Sequence, residues 1–537
     1  MLLPLLTLLP VIILALAALG IVLLRQNRPG IGYAWLIALL GGLLAVSAVL
    51  FLRWQLPLQM SIEQWRPFGE FSSPPVFRLD LISWPYAFSL VVLALAFILT
   101  DAARLETEAR PLNWAAGLAL TAVGLLAVMA ASPVTLVVAW TSVDLLELMM
   151  ILFTDAGRRM GRQTITAFSV RVAGTLLILV AILVARSQGL PFDLAPVPGA
   201  LAVFILLAAG LRLGVLPLNL PYVREVYAWR GLGNVLRMIG RVAALAMLAR
   251  LPAQAVSEPM RSVFLAFSAL AAIYGAVMWL ASDNEINGRP YWSIALAGMA
   301  VASAVNGNPQ ASIAWGLVLV LPGSALFFFS ASRRRNMLLP GLAMLGILGL
   351  PYNPAAVGWA GIAGPSLRVS SFVFLLAVVF LVWGYFRHAF QPRDELHRME
   401  RWIHTVYPTG LFVLIAGQWV IGVFGWPGSL SLGVWWASAV ATLLAGIGIF
   451  LAFFLRRKIG VEAINIEWIQ VFGRRAGGML GDFLRLNWLF RFFAWSYGFL
   501  QNIVQLIAAV FEGDGGILWS LVMLALLVSL IRAGGAP

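Results

Sequence analysis

Charged residues stand inside long apolar runs of this chain. They are Asp144, Glu147, Arg171, Arg212 and Arg241. The two carboxylates share the run 134–152, and the three arginines lie in three later runs. An ionised side chain at mid-bilayer is costly, so such residues usually face a bundle interior and mark an ion path or a counter-charge pair. The pattern predicts a polar axis buried between helices of a membrane protein.

Two roles are open for Asp144 and Glu147. They either load protons at the entry of a half-channel or form static ion pairs that fix helix packing. Lysine can lose its proton when buried, whereas arginine stays charged, and only one of the 36 basic residues is a lysine. Arg212 is therefore predicted to be a permanent counter-charge to Asp144. Arg171 and Arg241 either join this cluster or reach out to lipid headgroups.

The composition sets the class of protein. Of 537 residues, 61% are hydrophobic and 11% are charged, about half the charged share of a soluble domain. The chain lacks cysteine, and His388, His397 and His404 fall in one polar segment, so we predict no metal site and no cofactor. The formal charge of +14 does not imply nucleic acid. Without a nucleotide motif or a nucleophile–base pairing, we predict no catalytic residues.

Apolar runs of about 17–25 residues are long enough to cross a bilayer. The runs are 2–24, 31–52, 83–100, 112–131, 133–153, 165–186, 198–220, 232–251, 260–281, 291–306, 310–331, 336–362, 369–387, 407–425, 432–455 and 516–534. They predict an all-α polytopic membrane protein with about sixteen spans.

The distribution of basic residues predicts the orientation. Loops and span ends after odd-numbered runs carry roughly three times as many basic residues as those after even-numbered runs, and basic loops stay cytoplasmic. Arg230, Arg237 and Arg289 are counted among these cytoplasmic charges. The N-terminus is therefore predicted to lie outside.

The segment 456–515 differs from the spans. It mixes aromatic residues with charges at helical spacing, which predicts an amphipathic helix along the membrane face or along a partner. The alternative is two shorter interfacial helices with a glycine hinge. A final anchoring helix is predicted in 516–537.

Two spans carry similar interruptions. The run 198–220 leads into Pro217, Asn219 and Pro221, and the run 336–362 contains Pro351 and Pro354 on either side of an asparagine. Proline removes a backbone donor and breaks the helix, and paired breaks in two halves indicate a transport site built on repeats. The predicted organisation is 1–111 (helices 1–3), 112–251 (first repeat, helices 4–8), 260–387 (second repeat, helices 9–13) and 388–455 (helices 14–15).

Several stretches resemble the antiporter-like membrane subunits of respiratory complex I, of membrane-bound hydrogenases and of Mrp-type sodium/proton antiporters. The stretches are Trp140–Thr141, Ala167–Gly174, Gly210–Asn219 and Tyr291–Gly298. The resemblance implies two inverted five-helix repeats with broken helices 7 and 12, a lateral helix and a last anchoring span. In that family, a glutamate on span five partners a lysine on span seven.

The titratable positions of that family are replaced here. Thr141 stands at the glutamate position, with Asp144 one turn later, and Arg212 stands at the lysine position. Asn219 replaces a histidine on span seven, and Ser324 replaces the central lysine of span eleven. Because arginine keeps its proton, we predict an ionic cluster in the first repeat and a degenerate second half-channel.

Three functions are consistent with these features. The first is an antiporter-like subunit of a complex I-like or hydrogenase-like redox complex in a bacterial inner membrane, contributing to proton (or sodium) translocation. The second is a structural membrane-arm subunit that has lost pumping. The third is a stand-alone transporter of an inorganic ion or small anion. The expected partners are other membrane-arm subunits and lipids.

Overall fold

The computed structural model describes residues 2–27, 31–62, 74–104, 110–153, 161–194, 197–219, 230–253, 255–330, 337–363, 369–390, 400–459, 487–511 and 514–533. They form two compact units, 1–477 and 478–537. The helices of the larger unit are α1 (Leu2–Leu6), α2 (Leu9–Asn27), α3 (Ile31–Leu52), α4 (Ser83–Asp101), α5 (Pro111–Val128), α6 (Pro133–Phe153), α7 (Gly161–Ser187), α8 (Ala202–Leu213), α9 (Gly231–Leu248), α10 (Met260–Ala281), α11 (Glu285–Val305), α12 (Pro309–Phe327), α13 (Leu338–Leu345), α14 (Ala356–Ile362), α15 (Val369–Phe390), α16 (Ile403–Phe424) and α17 (Trp435–Ile459).

The sequence explains where many helices begin. Proline stands at the start of α5, α6 and α12, where its missing N–H and fixed φ are compatible with a first turn. Asparagine side chains cap the N-termini of α11 and α12. Asn284 accepts from Asn287 N at 2.7 Å before α11, and Asn308 accepts from Ala311 N at 3.0 Å before α12. Within the apolar helices the backbone satisfies its own hydrogen bonds, as hydrocarbon requires.

The predicted all-α polytopic membrane fold is confirmed. Each predicted membrane run overlaps at least one described helix, and ten of the described helices are long and apolar enough to cross a membrane. The total of about sixteen spans stays a prediction. The helix α11 carries Glu285 and Arg289, and α13 and α14 are each too short to cross alone.

Three helices form the centre of the larger unit. Almost all residues of α4, α9 and α12 are buried, and α4 packs against both α9 and α12. The helix α4 precedes both predicted repeats in the chain, yet it packs against a helix of the first and a helix of the second. The division into repeats stays a prediction.

A small antiparallel sheet, absent from the predictions, lies before α4. Its strands are β1 (Leu58–Ser61) and β2 (Val76–Leu79), with Leu58 opposite Leu79. Asp80, directly after β2, bonds Arg250 beyond α9 at 3.0 and 3.3 Å. Burial raises the pKa of Asp80, but the charge of Arg250 and hydrogen bonds from Ser83 outweigh it and bring that pKa below its usual value.

The smaller unit contains α18 (Asn487–Phe511) and α19 (Asp514–Ala533), which pack against each other. The predicted lateral segment 456–515 thus begins inside α17 and includes α18. Its part 460–486 lies outside the described residues. The predicted anchoring helix corresponds to α19.

Candidate functional site

The helix α6 directs both acidic side chains into the protein. Trp140, Val143, Asp144 and Glu147 are buried, and they recur at the three- to four-residue spacing of one helical face. Thr141 lies on the exposed face of α6 instead. A one-residue step rotates a side chain by about 100° around the helix, so Thr141 does not share the buried face of Trp140. Its place at the family's glutamate position stays a prediction.

Asp144 forms a bidentate ion pair with Arg212 of α8. The Nη1 of Arg212 donates to Asp144 Oδ2 at 2.7 Å, and Nη2 donates to Oδ1 at 2.8 Å. Each residue is 3% exposed or less. This parallel geometry matches the planar guanidinium to the planar carboxylate and makes the strongest kind of charge-assisted hydrogen bond.

Arg171 of α7 lies between the two carboxylates. Its Nη1 donates to Glu147 Oε2, and its Nε is 3.6 Å from Asp144 Oδ1. The second oxygen of Glu147, Oε1, accepts from Nη1 of Arg237 at 3.2 Å. The ion-pair cluster therefore consists of Asp144, Glu147, Arg171, Arg212 and Arg237, contributed by α6, α7, α8 and α9.

Arg237 was counted among the cytoplasmic charges at loops and span ends. The structure places it inside α9, buried at 9% exposure, and its side of the membrane stays a prediction. The predicted Arg241 is one turn further along α9 and donates to the Arg237 carbonyl at 3.1 Å. Both Arg171 and Arg241 are at most 3% exposed, so neither reaches out toward headgroups.

Neighbouring groups position Arg212. Its guanidinium lies 4.4 Å from the ring centre of Trp140, within the range of a cation–π contact. Its Nη1 also donates to the Arg171 carbonyl at 3.1 Å and to Thr175 Oγ1 at 3.2 Å. These contacts orient the guanidinium toward Asp144, so Trp140 and Thr175 are part of the site although the sequence singled out neither as a site residue.

The arrangement defines what the cluster can do chemically. All four carboxylate oxygens lie near guanidinium nitrogens, and arginine keeps its proton. Each carboxylate is therefore held by permanently charged donors. Among the described residues, no group of three or more histidine or acidic side chains is placed to hold a metal ion.

Gly174 leaves room for Arg212 between α7 and α8. A Cβ at this position would lie 2.8 Å from Arg212 Cγ and 3.0 Å from the Ala208 carbonyl oxygen. Because a backbone oxygen cannot move aside cheaply, we expect Gly174→Ala to destabilise the protein by about 1–3 kcal/mol. Thermal unfolding of the purified protein measures this effect.

Gly446 provides the matched control. It lies within α17, and a Cβ there would meet nothing within 4 Å. Gly446→Ala should leave stability unchanged or raise it slightly, because alanine favours helix over glycine. Equal unfolding temperatures for the two variants would contradict the close approach at Gly174.

The first interruption follows α8. Gly214 adopts a left-handed φ of 81°, and Asn219 N donates to the Gly214 carbonyl at 3.0 Å beyond it. The side chain of Asn219 is buried and donates to the carbonyl of Pro217 at 2.9 Å. Asn219 thus stabilises the break itself, while Pro221 lies outside the described residues.

The second interruption separates α13 from α14. Gly349 and Tyr352 both have a φ of 62°, and Pro351 and Pro354 lie in this turn. Gln418 of α16, buried at 4% exposure, donates to the Gly346 carbonyl at 3.2 Å and to Asn353 Oδ1 at 3.3 Å. Sequence reasoning missed Gln418, since a lone glutamine in an apolar run carries no signal of its partner.

In the predicted second repeat, 260–387, no described ion pair lies at Ser324. Ser324 of α12 is fully buried, and its hydroxyl makes no hydrogen bond within the described part of the chain.

Two residues that the sequence placed in polar segments lie inside helices. His388 lies inside α15, not in the polar segment predicted for all three histidines, and its Nε2 is 3.1 Å from Ser282 Oγ and from the Trp279 carbonyl. Arg289, counted as cytoplasmic, is fully buried in α11.

No protein-family model matches the sequence, and no curated protein is similar to it. Solved membrane complexes contain similar folds. A chain of the Mrp complex from Dietzia sp. DQ12-45-1b superposes with a TM-score of 0.66 at 17% identity, covering 94% of this chain and 63% of that one. This chain therefore spans less than two thirds of that Mrp chain.

Two further structures are similar. A chain of respiratory complex I from Thermus thermophilus, with bound aureothin, gives a TM-score of 0.57 at 20% identity, over 79% of this chain and 99% of that one. A chain of the membrane-bound sulfane sulfur reductase, an archaeal respiratory membrane complex, gives 0.63 at 14% identity, over 97% and 100%. The resemblance to the antiporter-like subunits thus holds at the level of the fold.

Proposed function

We propose that this chain, with the fold found in Mrp, complex I and sulfane sulfur reductase assemblies, is an antiporter-like membrane subunit of a redox-driven or ion-translocating complex. The pairing of Asp144 with Arg212 carries the proposal. This pair joins α6 and α8, the predicted spans five and seven, directly before the helix break that follows α8. The glutamate–lysine pair of the antiporter-like subunits is expected at the same place. The setting is a bacterial inner membrane with the N-terminus outside, and the partners are neighbouring membrane-arm subunits and lipids.

The cluster translocates by exchanging ion pairs. Arg171 contacts both carboxylates, so its guanidinium can shift from one to the other without leaving the cluster. When Arg171 moves to Asp144, Glu147 keeps only Arg237 and can accept a proton on Oε2. When Arg171 returns, the proton is displaced. The permanently charged arginines thus control when a carboxylate binds the transported ion, whether that ion is a proton or sodium.

The second half acts as a degenerate half-channel in this proposal. Ser324 offers a neutral hydroxyl where the family has a lysine, and Gln418 and Asn353 at the second break are neutral amides. These groups can order water but cannot hold a charge. The first-half cluster is therefore the part of this subunit that responds to the redox or ion-driving partner.

Charge removal at the two carboxylates tests the proposal. Asp144→Asn and Glu147→Gln are expected to slow ion uptake by the reconstituted complex about a hundredfold, the usual contribution of a positioned proton-transfer group. Glu258→Gln is the matched control, because Glu258 is exposed and bonds only Ser262 among its described contacts. Normal uptake by both cluster variants in a correctly assembled complex would refute a translocating role.

A structural role without pumping is the second candidate. It is favoured by the observation that every carboxylate oxygen faces an arginine, a residue that does not release protons. In that case Asp144→Asn should leave ion uptake unchanged and reduce only the amount of assembled complex. Measuring uptake per assembled complex, by quantifying the complex in the same vesicles, separates the two candidates.

A further inference from the structure

A second buried polar network surrounds the end of α12. The chain leaves the helix after Phe327, and the next three residues, Phe328, Phe329 and Ser330, are buried at 0%, 6% and 3% exposure. Their carbonyls cannot find partners within the helix. Buried backbone carbonyls need donors from elsewhere, and a helix C-terminus favours positive charge.

Three segments supply those donors. Arg104, after α4, donates through Nη2 to the Phe328 carbonyl and to Ser330 Oγ, both at 2.9 Å. Arg230, before α9, donates to the Phe329 carbonyl at 2.8 Å. The hydroxyl of Tyr407 in α16 lies 3.1 Å from the Ser330 carbonyl. The end of α12 is thus held by residues from the N-terminal helices, the first half and the helix after the second half.

Arg230 has a second bond that crosses between the halves. Its Nη2 is 2.6 Å from Oε1 of Glu285, the first residue of α11. Arg230 is 7% exposed and Glu285 is 6% exposed. Removing one partner of a buried pair is far more costly than losing an exposed pair. Arg230 therefore joins the start of α9, the start of α11 and the end of α12.

These contacts lie close in sequence to the positions that matter for the proposed function. Arg230 precedes Arg237, which bonds Glu147, by two helical turns, and Phe328 follows Ser324 by about one turn. When Arg171 leaves Glu147, that carboxylate stays bonded to Arg237 of α9. A shift of Glu147 would therefore act on α9 and, through Arg230, on α11 and α12.

We propose that Arg230 and Glu285 are positioning residues that couple the ion-pair cluster of the first half to the helices of the second half. This inference rests on the proposed function. The bond between them makes α9, α11 and α12 move together, so that pair exchange at Glu147 changes the packing around Ser324. Neither residue exchanges ions itself.

The coupling ratio, meaning ions moved per turnover of the driving reaction in the reconstituted complex, tests this inference. Glu285→Gln and Arg230→Gln should each lower the coupling ratio at least about twofold, the range found for residues that carry coupling. The turnover rate of the driving reaction should stay unchanged. Arg230→Lys, which keeps the charge, should restore part of the ratio. A merely structural role would reduce the amount of complex and leave the ratio unchanged.

Arg261→Gln is the matched control, since Arg261 bonds Asn306 at 3.0 Å between helices of the second half only. An unchanged ratio in assembled Glu285→Gln overturns the inference. Should that variant not assemble, Glu285→Asp, which keeps the charge on a shorter side chain, must lower the ratio or the inference fails. Asp144→Asn, measured alongside, shows whether the proposed function itself fails.

Discussion

Replacing Arg212 with alanine is expected to lower the free energy of unfolding by about 3–5 kcal/mol. The substitution leaves Asp144, only 1% exposed, without its bidentate partner. It also removes the stack on Trp140 and the bond to Thr175. Denaturant or thermal unfolding of the purified chain in detergent measures the effect. Arg401→Ala is the control, because Arg401 is exposed and should change stability by no more than about 0.5 kcal/mol.

The double replacement of Arg212 and Asp144 by leucine sharpens this prediction. Replacing a buried ion pair by apolar residues of similar volume is often neutral, so the double variant should be more stable than Arg212→Ala. That difference would show that the cost arises from an unpaired buried charge. A double variant less stable than Arg212→Ala would instead mean that the pair contributes more than mutual neutralisation.

Introducing the family's lysine at Ser324 is expected to destabilise the protein by several kcal/mol. Ser324 is fully buried, and Pro322 and Gly323 precede it on α12. The guanidinium of Arg289 in the neighbouring α11 lies 5.7 Å from the ring centre of Phe327, about one turn along α12 from Ser324, and its charge would disfavour an ammonium group there. Unfolding measurements on Ser324→Lys, next to wild type, give the magnitude.

Ser324→Ala is the companion variant. The hydroxyl of Ser324 makes no bond within the described part of the chain, so its removal should change stability by less than about 1 kcal/mol. It should also leave ion uptake unchanged, in contrast to Asp144→Asn. If Ser324→Lys folds as well as Ser324→Ala, the second half retains an environment for a cation and is not degenerate.

Much of the fold could be predicted because its causes are local. Hydrocarbon length and backbone satisfaction require apolar helices of defined length, so α3, α6 and α10 were predicted to the residue. Proline with glycine in an apolar run indicated both helix breaks for the same reason. The strands β1 and β2 were missed, since short amphipathic strands outside the membrane resemble ordinary loops.

The candidate site, like the fold, could be predicted from the sequence only in part. A carboxylate in an apolar run needs a counter-charge wherever the chain folds, so Asp144, Glu147, Arg171 and Arg212 were recognisable as one electrostatic group. The partners of each could not be read from the sequence. Thr141 turned out to be exposed, and Gln418 gave no signal, because the direction of a side chain depends on which neighbouring helix covers it.

The sequence by itself determined that this is a helical membrane protein with buried, permanently positive charges and acidic partners, because apolar length and residue type act independently of packing. Only the tertiary structure decided which arginine meets which acid. It placed Arg237, counted from the sequence only among the loop and span-end charges, in the ion-pair cluster, and it placed Arg230 against Glu285, at the junction of α9, α11 and α12. Such pairings join residues far apart in the chain, so they depend on how the helices pack and not on any local pattern.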